Sequence, residues 1–196
     1  LECLREPMEE RYVKIIRNNN VCRFPANFML VAAMNPCKCG FFGDANRECT
    51  CTPAQINQYH SRISGPLLDR FDLHIEVAPV EFDDISSEKK EETSLEIRKR
   101  VQAARAIQTE RFKNTRTTCN ALITADKLQE FCPMDDNAKA LMKNVFDKLG
   151  LSARAYDRIM KVARTIADLD NVEVINKRHI AAAAQYRSLD RKYWSE

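Results

Sequence analysis

An α/β region followed by an all-α region is the fold class the sequence predicts, on three observations. The run FMLVAAM, residues 28–34, is apolar without a break, as a central strand of a sheet covered on both faces is. Leu73, Ile75 and Val77 alternate with other residues at the period of a second strand. From Ser86 onward the apolar residues recur instead at helical spacing. The α/β part, with a cysteine-rich loop, therefore takes residues 1–80 and the helical part residues 81–196. The stretch EFDDISSEKKEE, residues 81–92, is an exposed joint between them.

Taken in order, LECLREPMEE reads as the end of a helix, with Leu1 and Leu4 on one face and Pro7 stopping it. With no initiator Met, the chain is expected to be part of something longer. YVKIIR and VCRF around Asn18, Asn19 and Asn20 form a hairpin closed by Pro25. Thr52, Pro53 and Gln55 begin a helix to about Ile63, by a capping box with proline at the first helical position. Ser86 or Ser87 caps a long charged helix reaching about Phe112, with Ile97, Val101 and Ala104 as its inner stripe. Ala138, Leu141, Val145 and Leu149 define the next helix, ended by Gly150. Ser152 starts another, in which Ala155, Ile159, Val162, Ala163 and Ile166 keep one apolar face. Asn176 caps the last, which runs through AAAA to about Ser188.

A chain of 196 residues, 44% of them hydrophobic, can bury a core as one large domain or two small ones. A net charge of +3 neither demands nor excludes a nucleic-acid partner, so any basic surface must be local. No stretch approaches the roughly 20 apolar residues that span a bilayer, and no signal pattern opens the chain, which points to the cytoplasm. Eight cysteines there argue for thiols or metal rather than disulfides. Cys3, Cys22, Cys119 and Cys132 stand singly and are expected to be small buried hydrophobes. Cys37, Cys39, Cys49 and Cys51 form two CxC pairs separated by nine residues, a set whose thiolates could converge on one tetrahedral zinc ion. With four protein ligands such a zinc is structural; the alternatives are four reduced thiols in an ordered loop and, second to that, disulfides formed during handling. His60, His74 and His179 read as structural, and Trp194 as terminal packing.

Three further positions carry chemistry. Asn35 follows the apolar run, where open α/β sheets bind ligands, and its amide offers donor and acceptor to a water or phosphate oxygen; it could equally start a turn. Arg70 lies in GPLLDRFD between Asp69 and Asp72, either as a structural ion pair or as a guanidinium presented to a neighbouring subunit's phosphate. Arg154 and Arg158 occupy the first turns of the helix begun at Ser152, where the macrodipole disfavours cations unless an anion is near.

With these positions in view, LREPMEERYV, FPANFMLVAAMNPCKCGFFGD, the CxC pair, YHSRISGPLLDRFDLHIEV and LSARAYDRIMKVARTIADL resemble, in that order, the magnesium-chelatase-like AAA+ proteins of the ComM/YifB subfamily. The resemblance implies the carboxy-terminal half of an AAA+ α/β core followed by a helical lid bundle. It implies Asn35 as sensor 1, Arg70 as arginine finger and Arg154 as sensor 2, with Arg158 a weaker alternative and Arg62 a weaker subunit contact. The hairpin around Asn18 to Asn20 would match a pore-facing insertion, in which Lys14, Arg17 and Arg23 supply phosphate contacts.

The departure from that pattern is large. The four glycines never make the GxxxxGK[ST] spacing of a phosphate loop, and no apolar strand ends in Asp-Glu to hold magnesium. ATP and Mg2+ are therefore expected of the full-length protein alone, with this isolated chain inactive. The resemblance implies a ring-forming ATPase acting on DNA by remodelling or branch migration. Its alternatives are the ATPase subunit of a magnesium chelatase and a non-enzymatic, zinc-stabilised interaction domain.

Overall fold

The computed structural model describes residues 1–18, 20–78, 80, 86 and 91–187. These fall into two units, Leu1–Phe71 and the residues from Asp72 on.

In the first unit a 3-10 turn, Glu2–Leu4, leads into helix α1, Arg5–Glu10. Pro7 does not stop this helix as its sequence suggests. It lies buried in the first turn, where a missing N–H costs no intrahelical bond. Arg11 ends α1 instead, with φ at 59° and its N–H donating to the Pro7 carbonyl at 3.0 Å. Strands β1, Tyr12–Arg17, and β2, Asn20–Pro25, then pair antiparallel, with Tyr12 opposite Pro25 and Arg17 opposite Asn20. That register leaves a two-residue loop, and Asn18 at φ 47° takes the left-handed geometry such loops need.

The expected central strand does not form. Residues 28–34 run without regular secondary structure, and Met29 and Val31 are 88% and 81% exposed. A strand exists by its neighbours' hydrogen bonds, and among the described residues nothing pairs with this run. Helix α2, Pro53–His60, begins on Thr52 with a complete capping box: the Gln55 N–H donates to the Thr52 hydroxyl at 3.3 Å, and the Thr52 N–H to Oε1 of Gln55 at 3.0 Å. It stops three residues short of Ile63. Helix α3, Gly65–Leu68, is capped by Ser64 and anchored by the buried Leu67 and Leu68.

In the second unit the strand expected at Leu73, Ile75 and Val77 is likewise absent, and those residues are 47%, 65% and 82% exposed. Helix α4, Ser94–Arg111, is capped by Thr93, whose hydroxyl and amide engage Glu96, rather than by Ser86 or Ser87. Ser87, most of the expected joint at 81–92, and Trp194 lie outside the described residues. Of the stripe assigned to α4, Ala104 is buried with Gln108, but Ile97 and Val101 are exposed. Short helices Asn120–Leu122, Ala125–Lys127 and α5, Leu128–Phe131, lead to α6, Asp136–Leu149, which Gly150 ends at φ 54°. Helix α7, Ala153–Leu169, is capped by Ser152, and α8, Lys177–Gln185, by Asn176. Helix α8 packs on α6 and α7, and α7 on α4. Phe112, Ile123, Met142, Ile159, Met160 and Ile180 lie in the core between them.

A charged cluster is sealed within this unit. Asp168, 2% exposed, accepts from Arg111 at 2.8 Å, from Asn120 at 2.7 Å and from Nε of Arg164 at 3.1 Å. Arg164 also donates through both Nη atoms to the carbonyls of Val172 and Glu173. Cys132 is buried as expected, whereas Cys3 and Cys22 are exposed and Cys119 is half-buried, against the expectation for lone cysteines.

Candidate metal centre and arginine sites

The cysteine loop is tied down at several points. Gly40, at φ 89°, donates its N–H to the Cys37 carbonyl at 3.2 Å, and Asp44 receives the N–H groups of Asn46 and Arg47 at 2.8 and 3.2 Å. Arg47 lies over the Phe41 ring, 5.2 Å from its centroid. The buried ring of His60, from α2, places Nε2 2.7 Å from the Pro36 carbonyl, so α2 braces the residue before Cys37. The capping box at Thr52 fixes the chain directly after Cys51.

That frame brings the thiols together. Sγ of Cys37 is 3.3 Å from Cys39 and 3.7 Å from Cys49, Cys39 is 3.5 Å from Cys49, and all four Sγ atoms lie within 4.8 Å of one another. Zinc–sulfur bonds of about 2.3 Å in a tetrahedron separate the sulfurs by about 3.8 Å, close to these values. The backbone favours negative charge here. The Phe41 amide, with that of Thr50 and the thiols of Cys37 and Cys49, brings Cys39 down to about 5 against the effect of burial. Burial and Cys39 push Cys37 up, but the Phe42 and Gly40 amides and Cys49 bring it below the usual thiol range. The Cys51 amide pulls Cys49 down; burial and the thiols of Cys39 and Cys37 outweigh it and raise Cys49 to about 12. Cys51 is raised by the same burial and neighbours, against the Cys39 amide. Thiols that crowd and destabilise each other's charge are a donor set that a divalent soft cation satisfies.

Arg70 follows α3. Its Nη1 donates to the Pro66 carbonyl and its Nη2 to Glu9 at the end of α1. Arg62, shortly before, is exposed, and so is Asn35 ahead of the cysteine loop. Arg154 and Arg158 belong to the other unit, in the first turns of α7. Arg154 is exposed, whereas Arg158 is half-buried and pairs with Asp72. On the hairpin Lys14 stands directly opposite Arg23, so the two share one face, and Arg23 also lies 5.0 Å over the Tyr12 ring. Arg17, three residues from Lys14, projects to the other face, so the three cations do not form one patch.

Sequence reasoning passed over Glu9 and the Arg164–Asp168 pair. The second had a signal: arginine and aspartate at i and i+4 beside Ala163 and Ala167, on a face that had to be buried.

Comparison with known proteins agrees across nearly the whole chain. The family described as magnesium chelatase, subunit ChlI, matches residues 1–85, and that described as its C-terminal region matches residues 91–187. The chain is 40% identical over 194 residues to the protein named YifB of Escherichia coli (strain K12), covering 97% of this chain and 37% of that one. It is 41% identical over 193 residues to the competence protein ComM of Haemophilus influenzae, covering 97% and 36%. The chain belongs to the magnesium-chelatase-like family, in its ComM/YifB subfamily. A further relative, Rv2897c of Mycobacterium tuberculosis, is 32% identical over 187 residues, covering 95% and 37%. This magnesium-chelatase-like chain thus spans little more than a third of the length of the relatives it matches. Among its described residues no helix is long and apolar enough to cross a membrane.

Proposed function

We propose that this chain is the carboxy-terminal portion of a cytoplasmic, ring-forming AAA+ ATPase that remodels DNA. Residues 1–80 complete its α/β core and residues 81–196 form its helical lid and carboxy-terminal helices. The observation that carries the DNA reading is the hairpin. Like charges placed directly opposite on a strand pair are destabilising, yet Lys14 faces Arg23 on an exposed, otherwise largely apolar ribbon. A phosphate between them removes that cost. Arg17, beside the turn, adds a contact from the other face.

In the assembled protein Arg70 offers its fixed fork to the phosphate of the neighbouring subunit's nucleotide. Asn35 and Arg154 report the nucleotide's state from core and lid, and Arg62 contacts the adjacent subunit. The phosphate loop and magnesium ligands lie elsewhere in the full-length protein, so the chain alone does not hydrolyse ATP. Cys37, Cys39, Cys49 and Cys51 hold one structural zinc, which supplies cross-linking and no catalysis.

Full-length protein tests this reading. It should bind DNA with a steep salt dependence, and Lys14→Ala with Arg23→Ala should lower the slope by about two while leaving ATP turnover in the absence of DNA unchanged. Arg70→Ala should abolish hydrolysis and spare ATP binding, because the guanidinium acts mainly on the transition state. The family's description favours a second reading, the ATPase subunit of a magnesium chelatase. Turnover stimulated by a porphyrin and indifferent to DNA would establish it in place of the first.

A further inference from the structure

Two acidic side chains from the start of the chain reach the segment that carries Arg70, and they do different work. Glu2 accepts from the Ser64 hydroxyl at 2.8 Å and from the Ser64 N–H at 3.3 Å, which fastens the cap of α3. Glu9 reaches past that cap to the guanidinium itself. With the Pro66 carbonyl on Nη1 and Glu9 on Nη2, the plane of the Arg70 fork is held at two points. The Arg70 side chain is 11% exposed, and its buried Nε has no hydrogen-bond partner among the described residues.

A guanidinium has five N–H donors, so two internal contacts orient it and still leave donors for a phosphate. Nor is the pair an obvious stabilising device. Glu9 is itself 36% exposed, and α1 already ends on Arg11 without it. What the contact does is remove the rotamer freedom of a long side chain before a ligand arrives, the usual source of preorganisation.

We propose that Glu9 is the positioning residue for Arg70: it sets the orientation in which the guanidinium meets the neighbouring subunit's phosphate. This rests on the reading of Arg70 as the arginine that completes that subunit's site. In this role Glu9 acts on the phosphate through Arg70 and not by touching it.

The experiment is steady-state ATP hydrolysis by the full-length protein carrying Glu9→Ala, Glu9→Gln, Glu2→Ala or Arg70→Ala, with thermal midpoints measured alongside. Glu9→Ala should lower kcat about tenfold with KM for ATP unchanged. Glu9→Gln, which keeps an oxygen acceptor at the same place, should recover part of that loss. Glu2→Ala should lower the thermal midpoint more than kcat. If Glu9→Ala destabilises the fold, the shape-conserving Glu9→Gln carries the test through the same separation of kcat from KM. Normal or raised kcat in both Glu9 variants, with Arg70→Ala inactive, overturns this proposal and leaves the role of Arg70 standing. Full activity of Arg70→Ala sinks the role of Arg70 and this proposal with it.

Discussion

From Asp72 on, helices α4 to α8 enclose a continuous apolar core, and the Met134 and Ile175 bridge, with the Asp135 N–H donating to Ile175 at 3.0 Å, laces its connections together. Up to Phe71 little is buried: Pro7, Cys37, His60, Leu67 and Leu68, joined by hydrogen-bonded turns and crowded thiols. The second unit has the apolar burial that pays for chain entropy, whereas the first relies on local closure and presents Met29, Val31, Ile16 and Phe24 to solvent. Stability should therefore be unevenly distributed, global in one unit and piecemeal in the other. Substitutions can break that contrast or sharpen it.

The largest loss is expected from Asp168→Ala. It leaves Arg164, 1% exposed, and the neighbouring Arg111 without their shared carboxylate, and breaking a buried pair from one side costs about 3–5 kcal/mol. Denaturant unfolding followed by circular dichroism measures it. A loss below about 1 kcal/mol would mean that the cluster is hydrated and that the core is less closed than its geometry indicates.

Next comes a matched pair of truncations. Ile180→Ala, at a site 0% exposed, should cost about 2–5 kcal/mol, whereas Met29→Ala, at 88%, should stay within about 0.5 kcal/mol in this chain. Similar losses at both sites would erase the distinction between the units.

The same contrast explains what was legible in the sequence. Local chemistry could be read directly: the capping box at Thr52, the cap at Asn176, the glycine stop at Gly150 and the asparagine turn all form as their residue types dictate. The cysteine spacing foretold the convergence of the four thiols, because CxC pairs on a short loop leave few ways to arrange them. What failed depended on partners. FMLVAAM and the run from Leu73 have strand composition, but a strand needs a neighbour, and none pairs with them among the described residues. Ile97 and Val101 have the right helical spacing yet stand clear of the core, because spacing fixes which residues share a face and not whether anything covers it. Glu9 and Arg70 lie 61 residues apart, and nothing local in either segment announces their contact.

Metal removal should act on the first unit alone. With free zinc about a hundredfold above the dissociation constant, binding adds about 2.7 kcal/mol to whatever opening exposes the thiols. Chelation should accordingly speed hydrogen exchange across residues 36–52 and leave α6 to α8 unchanged, and elemental analysis should return about one zinc per chain. Exchange that quickens equally in α7 would show that the two units unfold together. A metal-free chain with the loop fully protected would show that the thiols need no ion.

The smallest effect on stability belongs to Arg154→Ala. Arg154 is exposed at the second position of α7, where the partial positive charge of the helix start opposes a cation by about 0.3–1 kcal/mol. Removing it should leave the thermal midpoint of this chain unchanged or slightly raised. In the full-length protein the same substitution should cut hydrolysis by at least roughly tenfold, about 1.4 kcal/mol of transition-state stabilisation, if the site is completed by a phosphate. The two results belong together, since the helix start disfavours the cation in either setting, whereas a nucleotide phosphate would reward it only in the full-length protein. A loss above about 1 kcal/mol in the chain itself would instead make Arg154 structural. The sensing role would then pass to Arg158, whose pairing with Asp72 means that a phosphate must compete with a carboxylate already in place.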